Sequence, residues 1–346
     1  MAGIRLAEGD TVVVRMPNPL GDAVAATAFL QGLKRAFPSL RLVLAGRHPG
    51  RELLAGLDFV DDFAVVPKVK NAKDLWRASR SLARQEAAAA VVLPNSWSSA
   101  LEARLAGIPH RIGRPGTRRR WLLSHVLDPV GPPRPMTDFY WEFLAPFGDA
   151  LIDQKPPSPT LSVTSEEKAL AHRRLAQEVE SEAYLAVAPG AAFGPSKVYP
   201  LDQMAEVLRI LRQRLAWMPL LLGSPSEASL LRELAELLGP PVISTHRQIA
   251  GLGEMKALLR RSRLLLTMDT AARHMAAALG VPQVVLYGST DPRWSAFQLE
   301  DTTRLWQTDL PCRPCHRPIC PTEHECLAGL EPKTVVQACL QAIATE

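Results

Sequence analysis

Residues Arg263 to Pro292 read RLLLTMDTAARHMAAALGVPQVVLYGSTDP, and this stretch decides the fold. Leu264 to Met268 is a short, uncharged apolar run, as expected of a strand buried on both faces. Asp269 and Thr270 stand where an N-cap belongs, and Ala271 to Leu279 is strongly helix-forming. Gly280 stops the helix, and Pro282 leads into a second apolar run, Gln283 to Tyr287. The pattern predicts a βαβ unit, which presents ligands at the carboxyl ends of its strands. Asp269, Thr270, His274, Ser289, Thr290 and Asp291 all fall there. Asp269 or Thr270 alone reads as a helix cap. Two polar turns at adjacent strand ends, with a helix start between them, instead predict an anion site.

Working outward, the same alternation fills the chain of 346 residues. In the first half, Thr11–Met16, Arg41–Gly46, Phe63–Pro67 and Ala89–Pro94 read as strands. Helical periodicity appears at Ala23–Ala36, Arg51–Leu57, Ala72–Arg84 and Ser98–Ala106. The proline-rich stretch Asp153–Thr160, DQKPPSPT, breaks any element and predicts a linker. After a surface helix over Ser165–Glu180 the alternation restarts. Strands are expected at Tyr184–Pro189, Met218–Gly223 and Pro241–Ser244, before the two already described. Helices are expected at Leu201–Leu215, Ser226–Leu238 and Gly253–Arg260, and the tail Glu331–Thr345 predicts a closing amphipathic helix. The fold class expected is α/β, with two Rossmann-like, doubly wound domains over residues 1–155 and 156–346 facing a central cleft.

Composition narrows the function classes. Hydrophobic residues make up 47% and charged ones 22%, as in a soluble globular protein. No window is long and apolar enough to span a membrane, and the N-terminus lacks the apolar core of a signal peptide. A cytoplasmic location is expected. The formal net charge of +5 suits acidic small ligands or an anionic membrane surface. It is too diffuse for nucleic acid, and no nucleic-acid-binding motif accompanies it.

The first strand leads into MPNPLGD rather than a GxGxxG turn, against a nicotinamide or flavin dehydrogenase. Residues 189–198, PGAAFGPSKV, lack the spacing of a P-loop. There is no GxSxG elbow for an esterase.

Six pieces, in order, carry a resemblance: VVVRMPNPLGDAVAATAFLQGLKRAFP, LPNSWSSALEARLAGIPHRIG, APGAAFGPSKVYP, LLGSPSE, MDTAARHMAAALGVPQVVLYGSTDP and CRPCHRPICPTEHECL. Together they cover most of the chain. The set resembles the family 9 glycosyltransferases, and within them the lipopolysaccharide heptosyltransferase II group. The resemblance implies a GT-B fold, an ADP-heptose donor and inverting transfer onto the inner core of lipopolysaccharide. Family 9 transfer from another nucleotide sugar, or to another glycan acceptor, is the alternative within enzymes. A non-catalytic nucleotide-sugar-binding protein is the alternative outside them.

Inverting transfer needs a base for the acceptor hydroxyl. The resemblance places it at Asp22, whose other reading is a cap of the helix beginning at Ala23. The resemblance also assigns Lys197, beside Ser196, to the donor phosphates. The helix start at Thr270–Ala271 supplies NH donors, and no DxD-type metal motif stands out. A metal-independent reaction, with no catalytic metal, is therefore expected. Glu227 is placed to bind a ribose or to complement a helix dipole. His274 lies one turn into the helix after Asp269, able to reach the phosphate or to sit in the core.

Basic residues cluster at Lys68, Lys70 and Lys73, and at Arg111, Arg114, Arg118, Arg119 and Arg120. The implied acceptor carries carboxylates and phosphates at the cytoplasmic face of the inner membrane, and arginine forks suit both groups. Asn18, Lys70, Arg114 and Arg118–Arg120 are the expected acceptor ligands, and peripheral contact with the membrane goes with them. Cys312, Cys315, Cys320 and Cys326 are spaced C-x2-C-x4-C-x5-C, which suits a structural zinc or iron site. Reduced or disulfide-linked cysteines in a compact loop are the other reading. The chain departs from the family pattern at Pro19, at Tyr199 and at Ala271, which adds a methyl group where the family has glycine.

Overall fold

The computed structural model describes residues 3–344 apart from 117, 179, 180 and 182. The ends expected for two helices, Glu180 and Thr345, lie outside the described residues. The chain divides into two units, Met1–Leu161 and Ser162–Glu346.

The first unit holds β1 (Thr11–Arg15), β2 (Arg41–Gly46), β3 (Asp62–Val65), β4 (Ala89–Val92), β5 (His110–Gly113) and β6 (His125–Val126). They form one sheet in the order β3-β2-β1-β4-β5-β6, and every pairing is parallel. Moving outward both ways from β1 is the doubly wound pattern, and it puts crossover helices on both faces. That double cover explains why β1 and β4 are apolar runs rather than alternating ones. The helical stretch at Ala23–Ala36 is two helices, Leu20–Ala25 and Thr27–Ala36, meeting at Ala26. Arg15, at the end of β1, is buried and pairs with buried Glu102 at 2.9 Å. This cross-link between distant segments had no sequence signal. The proline-rich stretch is tied to the first unit. Thr160 N donates to Thr27 Oγ1 and Gln31 Nε2 to Ser158 O, each at 3.0 Å.

The second unit repeats the plan with β7 (Tyr184–Ala188), β8 (Met218–Leu221), β9 (Ile243–Ser244), β10 (Leu264–Met268), β11 (Gln283–Leu286) and β12 (Thr302–Leu305). The order is β12-β11-β10-β7-β8-β9, again all parallel. The half-buried edge strand β12 was not legible as a strand, because TTRL has neither an apolar run nor clean alternation. Helix Ala271–Ala278 bridges β10 and β11, as the opening stretch predicted, and Gly280 follows at φ +66°. The closing helix Pro332–Ala344 packs on helix Leu201–Leu215 and on β10, β11 and β12.

Candidate active site

The second unit gathers polar groups where β7, β10 and β11 end. Lys197 follows β7 and donates from Nζ to the Asp269 carbonyl at 2.6 Å and to Asp269 Oδ2 at 3.2 Å. Thr290, just after β11, donates to the same Oδ2 at 2.8 Å. Burial opposes ionisation of Asp269, but Lys197, His274 and Thr290 outweigh it and hold the carboxyl below the usual range. Thr270 is the N-cap of helix Ala271–Ala278, yet its side chain caps nothing. The first-turn NH groups therefore have no side-chain partner at their cap, and these donors stand at the positive end of the dipole.

His274 lies one turn on. Its ring stacks on Phe297 with centroids 5.3 Å apart, and Arg273 Nη1 lies 3.1 Å from its Nδ1. Burial first, and the charge of Arg273 second, push its pKa down to about 3, so the ring is neutral near pH 7. Asp291, expected in the same group, turns away to Arg293 at 2.6 Å and caps the short helix after it.

Glu227 closes a capping box. Its Oε2 accepts from Ser224 N and Ser224 Oγ, each at 2.7 Å. Its Oε1 would lie 2.2 Å from a Cβ added at Gly190, so only glycine lets the carboxylate sit against the end of β7. One oxygen serves the cap and the other is left at the strand end, so cap and ligand roles are compatible.

Ser196 is buried, 3.1 Å from Ser289 Oγ. It is also clamped by the cysteine-rich segment. Its NH donates to Pro318 O at 3.1 Å, and its carbonyl accepts from His324 Nε2 at 2.9 Å. His316 N donates to Ser289 O at 2.9 Å. The cysteine segment is the backing of the Lys197 loop, a role its C-x2-C-x4-C-x5-C spacing does not signal. Only contacts 121–128 residues apart in sequence reveal this.

Cys312, Cys315, Cys320 and Cys326 line one cavity of about 330 Å³ together with Ser196, Ser289, Arg313 and His324. All five cysteines are free, including remote Cys339. Among the described residues, no three His, Cys, Asp or Glu side chains converge closely enough to hold a metal ion. The thiols as placed share a wall without forming the tetrahedral set that zinc or iron takes.

In the first unit, Asp22 sits in the opening turn of helix Leu20–Ala25, directly after β1. The cap position is Pro19, and the Asp22 carboxylate makes no hydrogen bond or ion pair among the described residues. Burial raises its pKa to about 6. Buried Tyr140 lies within its field; burial first and Asp22 second raise the phenol's pKa well above its usual value.

The expected acceptor ligands separate by burial. Asn18, Lys70, Arg118 and Arg120 are exposed. Arg114 and Arg119 correct the expectation, because both are buried and hold the fold. Arg114 pairs with Glu142 at 2.5 Å, donates to the carbonyls of Asp128 and Phe139, and lies 4.2 Å over the Phe139 ring. Arg119 donates to the carbonyls of Arg114 at 2.9 Å, Pro94 at 2.5 Å and Ser96 at 2.9 Å. Burial lowers its pKa to about 10. Guanidinium forks bonded to loop carbonyls are not available to a ligand.

A family model described as glycosyltransferase family 9 (heptosyltransferase) matches residues 75–325. The chain belongs to glycosyltransferase family 9. It is 28% identical over 293 residues to lipopolysaccharide heptosyltransferase 2 of Escherichia coli, covering 81% of this chain and 83% of that protein. The solved structure of E. coli ADP-heptose LPS heptosyltransferase II superposes with a TM-score of 0.82 at 23% identity, covering 97% of this chain and 99% of that one. A family 9 glycosyltransferase structure from Veillonella parvula gives a TM-score of 0.87 at 18% identity, covering 99% and 100%. The two parallel sheets and these likenesses make the fold GT-B. No helix among the described residues is long and apolar enough to cross a membrane.

Proposed function

We propose that this family 9 glycosyltransferase moves a heptose from ADP-heptose onto the inner core of lipopolysaccharide, with inversion and without a catalytic metal. The observation carrying the reading is the Lys197–Asp269–Thr290 cluster beside an uncapped helix start. It suits a nucleoside diphosphate leaving group, and the heptosyltransferase relatives supply the sugar and acceptor.

Asp22 takes the proton of the acceptor hydroxyl as that oxygen bonds to the anomeric carbon. A pKa of about 6 leaves the carboxylate mostly ionised at neutral pH yet basic enough to accept a proton. The bond between that carbon and the phosphate oxygen breaks on the opposite face, and ADP departs with the electron pair. Lys197 and the NH groups at Thr270–Ala271 stabilise the growing charge on the diphosphate, and Ser196, whose NH and hydroxyl are held by Pro318 and Arg317, fixes the Lys197 loop. Neutral His274 donates to it from Nε2, and Glu227 Oε1 accepts from the ribose. Asn18, Lys70, Arg118 and Arg120 hold the anionic acceptor.

The test is ADP release by purified protein given ADP-heptose, with and without deacylated core acceptor, in buffer and in EDTA. Acceptor-dependent release that survives EDTA is expected. Release that needs added magnesium or manganese would overturn the metal-free account, and no release with ADP-heptose but turnover of another nucleotide sugar would overturn the donor.

A further inference from the structure

The first unit carries a basic, tryptophan-bearing face that the chemistry above does not use. Helix Ala72–Ala83 buries Ala78, Ser79 and Leu82 and turns Lys73, Trp76, Arg77 and Arg80 outward. Those positions are three and four residues apart, so they form one stripe, which Arg84 extends by a turn. The helix contains one acidic residue, Asp74, and its carboxylate accepts from Lys70 N at the helix start.

The neighbouring elements continue the same chemistry. Helix Trp97–Leu105 packs beside helix Ala72–Ala83, and the turn Arg120–Leu122 packs on helix Trp97–Leu105. Both helices lead rightward along the sheet, from β3 to β4 and from β4 to β5, so right-handed crossovers put them on one side of it. Trp76 is 59% exposed, Trp121 61% and Leu105 57%, well beyond what buried-ring packing requires. Cations lie over both rings: Arg80 is 5.1 Å from the Trp76 centroid and Arg104 is 5.9 Å from that of Trp121. Lys73, Arg77, Arg80, Arg84 and Arg104 form no ion pair among the described residues.

We infer that this face docks on an anionic lipid bilayer. Unneutralised cations complement acidic headgroups, while tryptophan rings and an exposed leucine seat at the boundary between headgroup and acyl chain. Tryptophans alone would fit a second protein, and cations alone would fit any polyanion. Their combination on a face where cations outnumber acids fits a bilayer. The inference rests on the proposed reaction for one point only, that the acceptor is a lipid-linked sugar at a membrane surface.

Co-sedimentation of the full chain with vesicles tests it, with neither donor nor acceptor present, so its outcome is separate from that of the activity assay. Binding to vesicles of phosphatidylglycerol and phosphatidylethanolamine is expected, with little to phosphatidylcholine alone and loss in high salt. Arg77→Glu with Arg80→Glu should cut the partition constant more than tenfold, at about fivefold for each cation lost. Trp76→Ser should lower it severalfold and reduce the blue shift of fluorescence on binding, with Trp121 supplying the remainder. Both variants should keep the wild-type circular dichroism and turnover on soluble deacylated acceptor. Equal binding to neutral and anionic vesicles, or variants that sediment like wild type, would overturn the assignment. So would a shift from dimer to monomer in the charge variant with vesicle binding intact, which would make this face a contact between copies.

Discussion

Arg273 Nη1 lies 3.1 Å from Nδ1 of His274. A guanidinium can only donate, so Nδ1 is the acceptor and the ring proton sits on Nε2. Arg273 is itself buried, held by the carbonyls of Ser295 at 2.7 Å and Phe297 at 2.9 Å. A fixed cation behind the ring thus sets both its tautomer and its charge state.

His274 should therefore show a pyridine-like Nδ1 and a pyrrole-like Nε2 by nitrogen NMR across the neutral range. The unfolded ring takes a proton below about 6.5, whereas the folded ring resists until about 3. The fold loses stability as pH falls through that window, and His274→Gln should lessen the loss. An imidazolium signal in the folded protein at pH 6 would refute the tautomer argument.

Asp22→Asn should lower turnover by about 10²–10⁴, the usual weight of a general base, with donor binding kept. Wild-type kcat/KM should fall as pH drops through about 6, where the carboxylate protonates. Because burial raises this pKa, the charged form costs stability above it. The asparagine variant should thus be more stable to chemical denaturation at pH 7.5, by about 1–2 kcal/mol once solvent screening of a partly exposed group is allowed for. A folded variant with near-normal turnover would remove Asp22 from the role.

Lys197→Ala should raise the donor KM and lower turnover, because charge stabilisation of the departing diphosphate is lost. It also leaves the Asp269 carboxylate buried with Thr290 as its remaining side-chain donor. The melting temperature should therefore fall too, by the amount that about 3–5 kcal/mol for breaking a buried pair implies. Calorimetry with ADP separates the two effects.

Arg118→Glu with Arg120→Glu should weaken acceptor use while ADP affinity and melting temperature stay unchanged. Arg119→Ala should do the reverse in stability, since it strips hydrogen bonds from the carbonyls of Pro94, Ser96 and Arg114. A cost of about 2–4 kcal/mol in chemical denaturation is expected. If both variants unfold at the wild-type denaturant midpoint, Arg119 is not the brace of its loop.

Cys320 should alkylate well before Cys326 and Cys339. A hydrogen bond with Thr322 lowers its pKa, whereas burial raises that of Cys326 and pushes that of Cys339 up to about 12. Modification should also raise the donor KM, because the same segment clamps Ser196. Elemental analysis of protein made without chelators belongs beside it. About one zinc or iron per chain, with all four clustered thiols shielded, would show that they close around an ion.

The sequence by itself determined the central strands, while the outer strands β5, β6 and β12 carry no apolar run and emerged only in the fold. Uncharged runs such as LLLTM and AAVV, short and bounded by turn residues, fit parallel strands covered on both faces, and Gly280 and Pro282 fix where the helix between β10 and β11 ends. It also put Lys197, Asp269 and Thr290 at the carboxyl ends of strands, because each lies in the loop that follows an apolar run in the sequence. What tertiary structure alone decided was which charges are free. Arg114, Arg118, Arg119 and Arg120 look alike in sequence, yet two are buried against carbonyls and aromatic rings from distant segments and two face water. The same holds for the cysteine segment, whose place behind Ser196 rests on single hydrogen bonds between loops. Local sequence encodes periodicity; desolvation and partners across more than a hundred residues belong to the folded chain.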